Sequence, residues 1–204
     1  MWVKMIAKTQ LGNALFAALT CTDNVGKMVD DLVLAEYDSG YMTTDNGVKF
    51  LKDLIKKGHE SVLEHVVYTF NIIGATRALL QELARHRHVS LSVKSTRWTL
   101  SKSWVDGALP DGVEEFPELV EAFNEYMEKV KDTIAENKGN NDILKYFLPE
   151  CVTTNIVMTT NLRELRHIYK LRTGTTVLPE FKELMHKIVE AAPPYHQEII
   201  TFEA

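Results

Sequence analysis

The residues best suited to chemistry are concentrated in one cationic segment, residues 77–102, which holds six arginine and lysine residues, two histidines and a single acid, Glu82. Arg85 and Arg87 carry planar guanidinium groups, whose paired donors suit the oxygens of a phosphate. Short hydroxyl side chains follow at Ser90, Ser92, Ser95 and Thr96. The segment therefore predicts a pocket for a phosphorylated ligand, with a solvent-exposed basic helix end as the alternative interpretation.

The composition indicates one globular domain over residues 1–204. The chain is 45% hydrophobic and 25% charged, and its formal net charge is −5. This negative balance argues against a general nucleic-acid coat protein. The two cysteines, Cys21 and Cys151, form no CxxC pair, which is typical of a reducing compartment. No apolar run approaches the ~20 residues that cross a bilayer, so we expect a cytoplasmic protein without membrane or nucleic-acid partners.

Three sequence blocks, together spanning residues 58–172, carry a family resemblance. Arg85-His86-Arg87, followed after seven residues by Ser95 and then by Arg97, resembles the signature of flavin-dependent thymidylate synthases. The segment from Gly58 to His65 is similar to the part of that family that precedes this signature. Asn161-Leu-Arg163, followed by Leu171-Arg172, resembles the second signature of that family. The three blocks occur in the family's order, whereas RHR alone would be a weak signal.

The resemblance implies an enzyme that reductively methylates dUMP to dTMP. It implies FAD as the bound flavin, NADPH as the reductant and methylenetetrahydrofolate as the one-carbon donor. It also implies a homotetramer whose active sites are shared between subunits. In such a reaction no cysteine attacks the uracil ring, and the two lone cysteines lie outside the three blocks.

The resemblance assigns roles residue by residue. The positions implied in cofactor binding are Ser61, Arg85, His86, Arg87, Val93, Asn161, Arg163 and His167. The positions implied in substrate binding are Glu82, Arg85, Lys94, Ser95, Thr96, Arg97, Lys145 and Arg172. Arg172 is the expected catalytic residue, because a fixed guanidinium beside N3 of uracil would stabilise negative charge on the ring. Without the resemblance, Arg172 would be interpreted as a helix-end arginine that meets backbone carbonyls.

Several positions depart from the commonest family pattern. Val93 stands where a side chain that forms hydrogen bonds is common, and Lys145 stands where an arginine would bind phosphate through two donors. Glu82 replaces a frequent glutamine, but it could still accept a hydrogen bond from the nucleotide sugar. His167 replaces a typical asparagine, and residues 177–181 replace a segment similar to Ala-Gln-x-Glu-Ile. These changes leave open a related one-carbon transfer, such as hydroxymethylation of another pyrimidine nucleotide, or a non-catalytic flavin- or nucleotide-binding homologue.

Other interpretations of the same residues are less well supported. Ser95 is not predicted as a nucleophile, because no Ser-His-Asp arrangement is visible to activate it. His59 and His65 are six residues apart, so the HExxH zinc motif is absent and we predict no metal site. His59 and Glu64 could support the flavin site or simply hold a turn. An RNA-binding module or an oligomerisation domain remains an alternative, although the acidic balance and the lack of an aromatic stacking surface disfavour RNA.

The elements that must position these residues are predicted from periodicity and from start and stop signals. Strands are predicted at Trp2–Ala7 and His65–Ile73, the latter ended by Gly74, and residues 153–160 are either a strand or a helix extension. Helices are predicted at 13–20, 24–37, 45–57, 76–87, 118–137, 142–147, 161–171 and 179–192. Residues 90–103 are expected to be irregular with a strand at 97–100, residues 104–117 to form a loop, and the chain to end in a short tail after Pro193-Pro194. The predicted fold class is α+β, a small twisted, mainly antiparallel sheet flanked by helices.

Overall fold

A four-stranded antiparallel sheet forms the centre of the fold. The computed structural model describes residues 1–21, 33–37, 40–100, 102 and 105–203. The sheet has the strand order β1-β4-β6-β5. Its strands are β1 (Trp2–Lys8), β4 (Val67–Thr76), β5 (Val89–Val93) and β6 (Thr153–Asn161), and a separate hairpin is formed by β2 (Val33–Tyr37) and β3 (Gly40–Thr43). The fold is α+β, as predicted.

Helices surround the sheet in the described residues. They are α1 (Gly12–Thr20), α2 (Asp45–Lys56), α3 (Arg77–Leu83), α4 (Thr96–Thr99), α5 (Pro117–Glu136), α6 (Asn141–Leu144), α7 (Leu162–Arg172), α8 (Pro179–Ala191) and α9 (Pro194–Ile200). Short 3₁₀ turns lie at Ser61–His65, Val113–Glu115 and Lys145–Phe147. No described helix is long and apolar enough to cross a membrane.

The main core lies between one face of the sheet and the helices. Alternate residues of β4 point into it, because side chains of a strand alternate between faces. Tyr68, Phe70 and Ile72 are fully buried there, and Phe70 pairs with Met158 and Ile72 with Ile156 on the neighbouring strand. The helices that complete this core include α1, α2, α7, α8 and α9. This packing brings α8 against β1 and against α3, the helix that begins the cationic segment, and it brings α7 against β6 and α8.

Three helix starts follow the sequence signals closely. The side chains of Thr44, Thr76 and Asn161 accept hydrogen bonds from the backbone N–H groups of Gly47, Leu79 and Glu164, at 3.2, 3.1 and 2.9 Å. Each cap satisfies a donor that the first turn of a helix leaves free. β4 therefore turns directly into α3, and β6 turns directly into α7.

One strand continues where the sequence predicted its end. Gly74 has a φ of 80° and lies at a register shift of β4 against β6, so the strand bulges there and runs on to Thr76. Glycine adopts this left-handed conformation without the steric cost that a side chain imposes. Gly58 has a φ of 77° immediately after α2, in agreement with the predicted helix end.

Several predicted elements were wrong. Residues 33–37 form a strand rather than part of a helix, because they pair with β3, and the rest of that prediction, residues 24–32, lies outside the described residues. Residues 89–93 form the edge strand β5, and the strand predicted at 97–100 is the short helix α4. α3 ends at Leu83, earlier than predicted, and the expected tail contains α9. The ambiguous segment 153–160 is a strand.

Candidate active site

The predicted site is assembled where α3, α7 and α8 meet. α3 leads into Arg85-His86-Arg87, and α7 ends at Arg172. The start of α3 is held by α8, since both the backbone N–H and the hydroxyl of Thr76 donate to the Glu180 carboxylate, the first at 2.8 Å. Residues more than 80 positions apart are thereby brought into direct contact.

Arg172 is contacted on three sides. Its Nη1 donates to Oε2 of Glu82 at 3.0 Å, and its Nε–H donates to Nε2 of His86 at 3.1 Å. The guanidinium carbon lies 4.8 Å from the centroid of the Phe181 ring, a cation–π distance. The Arg172 side chain is 21% exposed, so it borders solvent while its orientation is fixed by the protein. Arg172 therefore does more than an ordinary helix-end arginine, because its guanidinium contacts side chains rather than backbone carbonyls.

His86 is the buried member of the RHR segment. Its side chain is 6% exposed, its Nδ1 lies 3.7 Å from the Glu164 carboxylate, and its ring meets Phe181 edge-on at 5.8 Å. Burial, followed by the positive charges of Arg172, His167 and Arg85, lowers the pKa of His86 below its usual range. The ring is therefore neutral at physiological pH.

Glu82 links two arginines. Besides its contact with Arg172, its carboxylate accepts from Nη1 of Arg85 at 3.2 Å. Limited burial acts to raise the pKa of Glu82, but the hydrogen bonds and charges of Arg85 and Arg172 together lower it. Arg85 and Arg87 are exposed and point away from the core, which suits them to contact a ligand in solution.

The predicted phosphate segment follows β5 and forms a second group. Val93 is the exposed last residue of β5, and Ser95 occupies the N-cap position of α4. Lys94 and Thr96 are half-buried beside it. Arg97 is paired with Asp142 through two nitrogen atoms, one of them at 2.9 Å, and this contact lowers the pKa of the Asp142 carboxyl. The charge of Lys145 lowers that pKa further, so Arg97 and Lys145 lie near the same carboxylate.

The predicted cofactor residues of α7 line a cleft of about 810 Å³. Arg163 lies there and pairs with Glu64 at 2.6 Å, and His167 is exposed on the same helix. Asn161 borders the cleft while its side chain caps α7. Ser61 instead lines a neighbouring cavity of about 670 Å³ between α1 and the 3₁₀ turn, and Glu64 borders both spaces.

Sequence reasoning missed four residues that shape these spaces. Glu164 and Phe181 lie beside His86, and Phe181 also packs against Arg172, while Arg166 and Glu60 border the cleft, 3.8 Å apart. Burial lowers the pKa of Arg166, and the Glu60 carboxylate opposes that effect. Glu164 lies about two helical turns before Arg172, but nothing in the sequence distinguishes it from an ordinary acid in the first turn of a helix. His59 makes no contact that places it in the site among the described residues.

The sequence matches a known protein family over most of its length. The family model described as thymidylate synthase complementing protein matches residues 4–194. Flavin-dependent thymidylate synthases from Wolinella succinogenes and Campylobacter jejuni are 40% identical over 151 residues and 39% identical over 150 residues. These matches cover 70% and 69% of this chain and 74% and 72% of the relatives.

Solved structures agree with the sequence relatives. The crystal structure of flavin-dependent thymidylate synthase ThyX from Helicobacter pylori, complexed with FAD and dUMP, has a TM-score of 0.80 and 30% sequence identity, and the alignment covers 98% of each chain. A second crystal structure of that Helicobacter pylori protein has a TM-score of 0.79. The chain belongs to the thymidylate synthase complementing protein family, whose members named above are flavin-dependent thymidylate synthases.

Proposed function

We propose that this chain is a flavin-dependent thymidylate synthase, which converts dUMP to dTMP with FAD, NADPH and methylenetetrahydrofolate. The observation that carries the proposal is the arrangement around Arg172. A guanidinium held by Glu82, His86 and Phe181 stands at the family's expected catalytic position. Its orientation is set before any ligand arrives, and preorganised charge of this kind stabilises a transition state most effectively.

The residues of the large cleft fit a flavin dinucleotide. The fit rests on the donor set around about 810 Å³: Arg163, Arg166 and Lys170 supply positive charge, and His167 and Asn161 supply polar groups. Among the described residues, four carboxylates line the same cleft, those of Glu60, Glu64, Glu164 and Glu203, and two of them pair with Arg166 and Arg163. A diphosphate is an anion that such donors bind well. The proposed cofactor residues are Ser61, Arg85, His86, Arg87, Val93, Asn161, Arg163 and His167. FAD, when bound, supplies the redox chemistry of the reaction.

The nucleotide is proposed to bind between Arg172 and the segment that follows β5. Ser95, Thr96 and Arg97 follow the edge strand β5 and offer a hydroxyl, a backbone N–H and a guanidinium to the phosphate. Lys94 and Lys145 add positive charge to this set, and Glu82 is proposed to border the nucleotide as the counter-ion of Arg172. Arg172 is proposed to face the uracil ring, where its positive charge lowers the free energy of negative charge that develops on the ring. In this arrangement the protein orients and polarises the base, and no cysteine attacks it.

We further propose a homotetramer in the cytoplasm, with residues 1–204 as one domain and with sites shared between subunits. The outer face of the sheet supports an assembly, because Trp2, Ile73 and Val157 are partly exposed on it. A solution mass near four times the 23.2 kDa of the chain is the expected result from light scattering. A monomeric mass for a fully active protein would contradict shared sites.

The proposed function is tested with the purified protein in three readouts. We expect a yellow protein whose flavin absorbance is bleached by NADPH, release of tritium from C5-labelled dUMP, and a product with the mass of dTMP. Glu128→Gln is a matched control, since Glu128 pairs with Lys131 on the exposed face of α5 and lines neither of the two spaces described above. Flavin binding without tritium release would instead indicate a non-catalytic homologue.

The alternative one-carbon transfer has its own signature in the same assay. Val93 and Lys145 depart from the family pattern at ring- and phosphate-contacting positions. Hydroxymethylation would give a product one oxygen atom heavier than dTMP, so the product mass separates the two reactions.

A further inference from the structure

The contact between Arg172 and His86 fixes which nitrogen of His86 carries the proton. A neutral imidazole has one N–H donor and one nitrogen lone pair. The Nε–H of Arg172 donates to Nε2 of His86 at 3.1 Å, so Nε2 must be the unprotonated nitrogen. The proton of the neutral ring is therefore on Nδ1.

The carboxylate of Glu164 faces that proton. Glu164 is buried in the first turn of α7, and its Oε1 lies 3.7 Å from Nδ1 of His86. The oxygen atoms of a carboxylate attract an N–H group and repel a nitrogen lone pair, so Glu164 favours Nδ1–H and disfavours a bare Nδ1. Arg172 lies two turns further along α7, and helical side chains lean towards the N-terminus, which brings its guanidinium back to the opposite side of the ring. Phe181 of α8 supports both groups.

We propose that Glu164 is a positioning residue that selects the Nδ1–H tautomer of His86 and thereby holds the Arg172 guanidinium in the orientation that receives the nucleotide. The proposal rests on the proposed function, since it treats Arg172 as the residue that faces the uracil ring. His86 then acts through Arg172, while Arg85 and Arg87, which are exposed, are the members of the RHR segment free to reach phosphates.

The arrangement also has a defined response to pH. The ionisable groups that face His86 are Glu82 and Arg85 from the α3 side and Glu164, His167 and Arg172 from α7, whereas α8 contributes the uncharged Phe181. A protonated His86 has no lone pair for Arg172 and places a second positive charge beside it. Because the pKa of His86 is lowered, this loss occurs at a pH below the ordinary histidine range, and the arrangement is intact at neutral pH.

The first experiment measures dUMP affinity by calorimetry on the FAD-loaded protein in Glu164→Gln, His86→Gln and the double variant. The side-chain amide introduced by Glu164→Gln can present either its NH₂ or its oxygen to Nδ1, so it selects no tautomer. We expect Glu164→Gln to raise the dUMP dissociation constant about fivefold, the order of one electrostatic contact at this distance, when measured on protein with a full complement of FAD. In His86→Gln the side-chain oxygen can accept from Arg172 permanently, so adding Glu164→Gln should change the constant by no more than about twofold. Glu128→Gln, the same substitution at an exposed pair on α5, should leave affinity unchanged.

Two further readouts keep the proposal open to refutation if Glu164→Gln does not fold. In ¹⁵N-histidine spectra of the wild-type protein, the ring assigned by comparison with His86→Gln should show a protonated Nδ1 and a bare Nε2. In the wild-type protein dUMP affinity should fall as the pH is lowered and His86 becomes protonated. In His86→Gln this fall should be absent, because glutamine does not titrate. A protonated Nε2, or an unchanged acid loss, would overturn the proposal.

The dUMP affinities of the two single variants and the double variant also distinguish the possible roles of Glu164. No effect of Glu164→Gln, or the same effect with and without His86, would show that Glu164 does not act through His86. If the wild-type protein binds dUMP but forms no dTMP, the proposed function fails while the affinity cycle still tests the positioning role.

Discussion

Replacing Glu82 by glutamine separates two interpretations of this residue. The sequence suggested that Glu82 accepts a hydrogen bond from the nucleotide sugar. In the structure its carboxylate instead contacts Nη1 of Arg172 at 3.0 Å and Nη1 of Arg85 at 3.2 Å. Glutamine has nearly the same shape and retains one oxygen acceptor, but it removes the negative charge. The substitution therefore tests whether Glu82 is a counter-ion or a nucleotide ligand.

The magnitude follows from the geometry of the Glu82–Arg172 pair. At about 3 Å and an effective dielectric constant of about 20, the direct attraction is about 5 kcal/mol, most of which desolvation and screening offset. Because the side chains are 34% and 21% exposed, a net value of about 1 kcal/mol is appropriate. An anionic nucleotide that engages Arg172 competes with this attraction. Its removal should tighten dUMP binding about fivefold.

Titration calorimetry with dUMP at two salt concentrations is the appropriate assay. The fivefold gain in Glu82→Gln should shrink as ionic strength rises, because exposed charges are screened. Glu128→Gln is the matched control, since Glu128 forms an i,i+3 pair with Lys131 on α5, much as Glu82 does with Arg85. Weaker dUMP binding in Glu82→Gln would refute the counter-ion argument and favour direct contact with the sugar.

Four other substitutions test the remaining parts of the site and core. Arg172→Lys should lower kcat roughly 100-fold with flavin retained, because lysine lacks the fork that contacts two partners at once; near-normal kcat in the tritium-release assay would contradict the assigned role. Phe181→Leu should weaken dUMP binding a few-fold and reduce the free energy of unfolding by about 1–2 kcal/mol in urea titrations, whereas an effect on stability alone would argue against support of Arg172. Lys145→Arg should tighten dUMP binding about threefold through a second donor, and unchanged affinity would place Lys145 away from the phosphate. His196 shares a hydrogen bond through Nδ1 with the buried Tyr68 hydroxyl at 2.8 Å, and burial and Lys8 lower the pKa of His196 to about 3. The unfolded chain therefore binds the extra proton first, and stability should fall from about pH 6.5 towards pH 3. In urea titrations His196→Asn should show a shallower fall, and an identical slope would exclude His196 as the cause.

Local sequence signals predicted the helices whose first turn is capped by a side chain. Thr76 and Asn161 each precede an apolar helical pattern, and each accepts the hydrogen bond expected of a cap. Non-local pairing could not be inferred in the same way. The segment from Val89 to Val93 alternates apolar and polar residues, yet its strand forms because β6 lies beside it, more than 60 residues later. Residues 33–37 likewise form a strand through pairing with β3.

The same distinction applies to the candidate site. The resemblance assigned Arg85 and His86 to the cofactor and the nucleotide and Arg172 to catalysis, and the structure brings His86 and Arg172 into contact. It did not reveal Glu164, which in sequence is an ordinary acid in the first turn of a helix, or Phe181, which is an ordinary core residue. Their roles depend on the way α7 and α8 pack together, which periodicity alone does not specify.

The neighbouring residues Glu180 and Phe181 give α8 a structural role that a map of ligand-contacting residues would miss. Glu180 holds the first turn of α3 through Thr76, and Phe181 packs under Arg172 and against His86. A fragment that stopped after residue 173 would still contain every residue assigned to the cofactor or the nucleotide. It would nevertheless lose the helix that fixes the spacing between α3 and α7. Truncations and domain fusions of this protein should therefore keep α8 in place, even though it supplies none of the residues assigned to ligands.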